Sequence, residues 1–300
     1  MMRNKNLYII LLFLGVFCEL SAQVTDLMRV EYAYIPQSNS DNTYRRFRMS
    51  ANYPIKINDE GTYLVISPQY RYNDLNISDR LPFEEGGDLN VFQTFSLELG
   101  YTFKMKNDWR FGAKLGAGMS SNFEGSGIES DDFRYTTSVF FVKSYKKLQA
   151  PKTARLIIGL RYATPASITF PLPIINYFKR FHPNWSYSLG TPKTSIKYFI
   201  NQKNTIQTFV GLDRFYGNLQ NNRRFTDQNG ETKIAENASM LNIIGALGYE
   251  YYFTEHLLFY TYSGYTLSNE IRLRDNNQQN VLVINEANTF YIRSGIKLKI

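Results

Sequence analysis

The chain has 300 residues, a formal net charge of +8, 20% charged residues and a mean hydropathy of −0.34, which is too polar for a bundle of membrane-spanning helices. Past the N-terminus there is no apolar run of the ~18 residues that a transmembrane helix needs, so a bilayer could be crossed only by a closed barrel of strands. Tyr (23) and Phe (22) are unusually abundant, as interfacial aromatic girdles require.

Residues 1–22 read as a cleaved signal peptide: Arg3 and Lys5 make a basic start, Leu7 to Phe17 an apolar core, and Ser21-Ala22-Gln23 a small-residue cleavage site. Phe17 is too large to precede a lipidated cysteine, so Cys18, the sole cysteine, leaves with the signal. The mature chain, 23–300, is then a single domain with neither disulfides nor thiolate metal sites. Its basic residues alternate with apolar ones along strands instead of clustering, which argues against nucleic acid as a partner.

From residue 27 on, the two-residue period of strands recurs. Phe47, Met49, Ala51, Tyr53 and Ile55 interleave with Arg46, Arg48, Ser50, Asn52 and Lys56. Phe95, Leu97, Leu99, Tyr101 and Phe103 interleave with Thr94, Ser96, Glu98, Gly100 and Thr102. This spacing predicts strands near 27–36, 43–57, 62–73, 88–105, 108–122, 132–146, 153–164, 185–200, 204–216, 239–253, 257–270 and 284–300. The connections alternate between short turns, such as Lys106-Asn107 and Thr254-Glu255-His256, and longer loops, such as Pro165 to Asn184, Gly217 to Ala238 and Ile271 to Val283. The expected fold is all-β: a transmembrane antiparallel β-barrel of about twelve strands, within a range of ten to fourteen, with short periplasmic turns and long outer loops. The last strand runs to Ile300 and is placed to close the barrel, although Ile300 is not the terminal aromatic residue that many such barrels carry.

Ser-Ala-Gln at the signal's end and the aromatic-rich ladder resemble outer-membrane barrels of the Bacteroidota. Within these, Ser67-Pro68-Gln69-Tyr70, Gly159-Leu160-Arg161-Tyr162, Pro171-Leu172-Pro173, Pro183-Asn184-Trp185 and Gly190-Thr191-Pro192 resemble an uncharacterised family described as a domain of unknown function. The resemblance implies a barrel in the outer membrane of a Gram-negative bacterium, in contact with its lipid, and brings no activity with it.

Candidate functional residues lie on the inward row. The register places Arg46, Arg48, Arg71, Arg110, Lys114, Arg134, Arg155, Arg161 and Arg293 there, with Arg29, Lys56, Lys104, Lys197, Lys297 and Lys299, against the acids Glu31, Glu98, Asp213 and Glu250. A cationic lumen lowers the barrier for anions. The plain alternative is that these residues pair with carboxylates inside a filled barrel, and a strand number between eight and sixteen leaves both open. Phe170, Pro171, Pro173, Lys179 and Arg180 belong to an apolar, proline-broken loop expected either to constrict or cap the pore mouth or to pack on the barrel's own rim. Asp131-Asp132 read as solvated loop charge, and Asp227 to Glu231 as a turn lacking the spacing of a calcium loop.

No metal or other cofactor is expected. His182, placed in an outer loop, and His256, in a periplasmic turn, have no serine beside them in the register, so enzymatic chemistry is not expected either. The expected function is a narrow channel passing small, anion-leaning solutes. The rival reading is a closed structural, adhesion or secretion-associated barrel that meets an envelope protein partner through its outer loops.

Overall fold

The computed structural model describes residues 26–38, 40–77, 89–125, 127–145, 153–226 and 230–299. The signal-peptide expectation falls outside the described residues, as do positions 227–229 of the Asp227 to Glu231 turn. One antiparallel sheet closes on itself. Its strands are β1 (Asp26–Pro36), β2 (Thr43–Ala51), β3 (Tyr53–Lys56), β4 (Tyr63–Asp74), β5 (Val91–Lys104), β6 (Trp109–Ser121), β7 (Phe133–Tyr145), β8 (Thr153–Thr164) and β9 (Leu172–His182). They continue with β10 (Trp185–Gly190), β11 (Lys193–Phe199), β12 (Asn204–Thr226), β13 (Thr232–Tyr252), β14 (Leu257–Ser268), β15 (Ile271–Arg274), β16 (Asn280–Asn285) and β17 (Phe290–Lys299). Closure comes from β1 against β17, with Val30 opposite Ile296 and Tyr34 opposite Ile292.

Three of these segments continue another strand. Asn52 alone separates β2 from β3, β14 and β15 both run along β13, and β16 leads into β17, so fourteen strands circle the barrel. The two beyond the expected twelve come from one region. The stretch 185–200 is not a single strand but the β10–β11 hairpin, which turns at Gly190-Thr191-Pro192. Gly190 has φ +125°, and a Cβ there would sit 1.8 Å from the Ile175 carbonyl oxygen, so no other residue fits the turn. The expected loop 165–184 contains β9, paired with β8 and β10. Its prolines suggested a broken chain, but Pro171 and Pro173 sit at the strand's start and Pro183 in its closing turn, where a missing N–H does least harm.

Alternation is physical as well as sequential. Phe95, Leu97, Leu99 and Tyr101 of β5 are exposed on the outer face, whereas Thr94 points inward and is buried, and the same two-sided pattern recurs around the barrel. An apolar belt facing outward with polar side chains inside is the arrangement that hydrocarbon demands.

The expected loops 217–238 and 271–283 are also built of strand. β12 and β13 form a hairpin of 23 and 21 residues that far outruns its neighbours. Up to Gly211, β12 pairs with β11; the Leu212 N–H still donates to the Pro192 carbonyl at 3.2 Å, and there the pairing ends. Beyond that point β12 departs from β11 and reaches β6, where Asn218 bridges Ser121 in parallel and the Ser120 hydroxyl donates to the Tyr216 carbonyl at 2.6 Å. Phe215 to Gln220 and Asn237 to Met240 are buried on both faces. Phe92, Phe215, Leu219, Met240, Leu273, Ile35 and Tyr44 form part of one apolar core. Phe92 meets Phe215 edge-on at 5.2 Å between ring centroids, and Gly217 lets the hairpin approach, since a Cβ there would lie 2.5 Å from the Phe92 ring. This part of the core sits at the long-loop end, where the hairpin is folded across from β11 to β6, and Phe209, Tyr262, Tyr260 and Leu258 continue it toward the short-turn end.

Candidate functional site

The inward face carries two groups of charge with β12 between them. The first gathers on β1, β2, β4 and β17. Glu31 is opposite Arg48, and it accepts from the Tyr260 hydroxyl at 2.7 Å and from Arg46 Nη2 at 3.3 Å. Arg48 Nη1 lies 3.7 Å and Arg29 Nη1 3.9 Å from the same carboxylate. Arg46 also pairs with Asp213 of β12, tying the crossing strand to the β2 wall. Arg71 donates to the Arg214 carbonyl at 3.5 Å and to the Gln69 side chain at 3.3 Å. Arg293 lies over the Tyr262 and Tyr291 rings, at 5.2 and 5.8 Å.

The second group faces it from β5 to β8. Arg161 Nη2 donates to Glu98 at 2.5 Å, Thr136 donates to the same oxygen at 3.2 Å, and Lys114 is within electrostatic reach. Arg134 donates to the Pro165 carbonyl at 2.9 Å and lies 5.1 Å over the Tyr216 ring of the hairpin. Asp213 and Arg214 are successive residues on β12, yet Asp213 meets Arg46 on one side while Arg214 is within electrostatic reach of Arg134 and Arg161 on the other. This stretch of β12, beyond its pairing with β11, has charged neighbours on both faces and so runs through the interior instead of forming lipid-facing wall.

Nearer the short-turn end, Glu250 is held by Lys197 at 2.8 Å, by Gln207 at 2.8 Å and by the Tyr262 hydroxyl at 3.0 Å. Arg110 donates to the Gly61 carbonyl at 2.9 Å, and Arg155 is half-buried with its Nε unpartnered. Lys193, which the sequence reading passed over, lies 3.9 Å over the Phe209 ring. Lys56 departs from the inward row: it is exposed and bonds Asp59 at 2.6 Å beside a short turn, and Lys104 is exposed too. In that turn, outside the membrane-spanning strands, the Lys56 ammonium holds the Asp59 carboxyl below its ordinary pKa.

The hairpin is secured at its far side by polar contacts. Asp132 closes the short 3₁₀ turn Ser130–Asp132, accepting from the Glu129 N–H at 2.8 Å. It also accepts from Asn218 Nδ2 at 2.9 Å and from Gln220 Nε2 at 2.7 Å. Gln220 is bonded in turn by the Gly125 N–H at 2.8 Å, and Arg223 pairs with Glu124. Asp132, read from sequence as solvated charge, is therefore fully buried and fixes the hairpin; Asp131 stays exposed. Nothing in the local sequence gives this away, because Asn218 to Asn222 reads as a turn.

The expected cap loop is placed differently. Phe170 is 60% exposed, Pro171 and Pro173 are exposed at the start of β9, and Lys179 and Arg180 lie near the short-turn end of that strand, away from the long-loop mouth. They lie there because 172–182 is wall rather than loop. The part that does fold inward is next to them: Ala166 and Ser167 are buried, and Arg274 of β15 donates to the Ser167 carbonyl at 3.3 Å. His182 likewise ends β9 at the short-turn end, where its Nδ1 accepts from the Asn184 N–H at 3.1 Å, and His256 lies in the β13–β14 turn.

A closed antiparallel barrel with an apolar belt outside and paired charge inside defines a transmembrane β-barrel of the outer-membrane class. The chain belongs to the family described as domain of unknown function (DUF2715), whose profile matches residues 72–300. No protein with a curated description matches it in sequence. Among solved structures it is similar to LpxR from Salmonella typhimurium (9% identity, TM-score 0.38, 91% of this chain and 100% of that one). It is also similar to the NanC porin (11%, 0.40, 91% and 100%) and to outer membrane phospholipase A from Escherichia coli (10%, 0.33, 94% and 94%). At these values nothing about this chain's activity follows from them.

Proposed function

We propose that the protein is an outer-membrane transport barrel, delivered by a cleaved signal peptide, whose basic lumen passes small anion-leaning solutes and whose mouth is stopped by the β12–β13 hairpin. The observation that carries this is the pairing of an excess of inward Arg and Lys with a hairpin that crosses the interior on hydrogen bonds and ion pairs. Its polar anchors involve charged groups worth about 1.5–3 kcal/mol each, and Phe215 and Leu219 pack in the apolar core with Phe92, so the hairpin stays seated at rest and leaves the lumen only in rare openings while the closed ladder stays intact. The excess of cations then sets the sign of what crosses. The rival reading, a closed barrel meeting an envelope partner through its outer surface, draws on the same buried hairpin and on the inward fold of Ala166 and Ser167.

Single-channel recording in planar bilayers tests this with the parent protein and a variant in which residues 217–238 are replaced by an Asn-Gly turn. We expect rare, brief openings in the parent and stable conductance in the variant, with a reversal potential in a potassium chloride gradient that shows chloride preference. A folded, inserted variant that passes no current would overturn the channel reading in favour of the closed barrel.

A further inference from the structure

The ion pairs of the first charge group do not balance. Arg48 and Arg71 stand directly opposite each other on β2 and β4, an arrangement that repels across an antiparallel pair. Arg46 is two residues along the same face, and Arg293 lies within electrostatic reach of Glu31 and Asp213. Four guanidinium groups thus share two carboxylates, because Arg29 has Asp26 as its own partner. Among the described residues Arg71 meets no carboxylate within ion-pair distance; its two bonds run to a carbonyl and an amide and are long, at 3.5 and 3.3 Å.

The unused atoms at this place are of two kinds. The Nε atoms of Arg46, Arg48, Arg71 and Arg293 are buried donors without an acceptor. Asp213 Oδ2 is a buried acceptor without a donor. Arg46 is 2% exposed and Asp213 8% exposed, so both are withdrawn from bulk water. A group that meets all of these needs is a dianion with several acceptor oxygens and one O–H: the dianion offsets the surplus of two positive charges, its oxygens accept from the guanidinium groups, and its proton is donated to Asp213.

We propose that Arg46, Arg48 and Arg71, with Asp213, form a lumenal binding site for hydrogen phosphate. This rests on the reading of the lumen as basic, and it gives the hairpin a second role, since Asp213 is carried on β12 and completes the site only while the hairpin is seated. Sulfate has the same charge and shape at neutral pH but no proton to donate, so it leaves Asp213 facing an anionic oxygen and binds more weakly.

The test is calorimetric titration of the mature protein in detergent at pH 7.5, with inorganic phosphate and then sulfate, at fixed chloride. The expected result is one phosphate per barrel, with sulfate weaker by about tenfold or more and Arg71→Gln weakening phosphate by ~10- to 100-fold. Arg71→Lys should recover part of that loss, and Lys56→Gln, exposed beside a short turn and off the inward row, should leave binding unchanged. Heat-modifiable gel migration confirms that each variant is folded. Absence of phosphate binding, equal binding by the parent and Arg71→Gln, or equal affinity for sulfate would each overturn the assignment. Binding in detergent does not depend on conductance, so an electrically silent barrel can still bind phosphate, and a conducting barrel that ignores phosphate fails this test alone.

Discussion

The wall from β4 to β8 and the upper half of the β12–β13 hairpin are both antiparallel sheet, yet they solve opposite problems. In the wall one face meets lipid and the other the lumen, so Leu97, Leu99 and Leu115 stand exposed on the outside while Glu98 and Lys114 face inward. In the hairpin neither face meets lipid. Phe215 and Asn218 are both buried, one against Phe92 and the other on Asp132, and polar and apolar residues follow one another without regular alternation. Each strand's pattern records what lies on its two sides, and the hairpin has protein on both.

The largest effect that can separate the two regions comes from one residue type placed in each. Phe215→Ala should destabilise the hairpin by about 3–5 kcal/mol, the range for removing a buried aromatic side chain, because Phe92, Leu219 and Met240 cannot close the cavity. Phe95→Ala, on the lipid side of β5, should be much milder, since acyl chains fill the gap. Proteolysis of the folded protein reads the first, and urea-induced unfolding from vesicles reads the second. Equal effects on barrel unfolding would mean that hairpin and wall form one cooperative unit.

The same contrast explains what could be read from sequence. Closure and the inward and outward faces followed from the two-residue period, which is strong wherever lipid lies outside; the long loops expected at 165–184, 217–238 and 271–283 did not, because each contains strand. Inward Arg46, Arg48, Arg161, Glu31, Glu98 and Glu250 were legible in this way, and their partners followed once strands were brought together. Three features stayed hidden for physical reasons. Pro171 and Pro173 mark the beginning of a strand here, and proline by itself does not distinguish a beginning from an interruption. Gly190 fell inside the single strand expected over 185–200, when its φ of +125° makes it a hairpin turn. The hairpin's upper half, with Asn218, Gln220 and Arg223 in a polar run, has the composition of a loop, and only its tertiary partners Asp132, Asn122 and Glu124 make it a sheet.

A smaller effect sharpens the comparison at the hairpin's far anchor. Asn218→Ala and Gln220→Ala each remove a bond to Asp132 that involves a charged acceptor, and each should loosen the hairpin by about 1.5–3 kcal/mol. Amide exchange should quicken in 214–238 and stay unchanged in β5 to β8. If exchange quickened equally in both, the hairpin would not be an independently movable element, and the gated reading of the lumen would lose its moving part.

The smallest effect has the opposite sign. Arg71 faces Arg48 across β2 and β4 and has no carboxylate partner among the described residues, so in phosphate-free buffer Arg71→Gln removes a repulsion and little else. Cross-strand pairs contribute roughly 0.2–1 kcal/mol, and relief of a like-charged pair should raise the unfolding midpoint by an amount in that range. Adding phosphate should reverse the order, because the parent gains from a bound dianion what the variant cannot. A stability ranking that inverts with one small anion distinguishes an arginine kept for binding from one kept for the fold: a structural Arg71 would make the variant the less stable protein in both buffers.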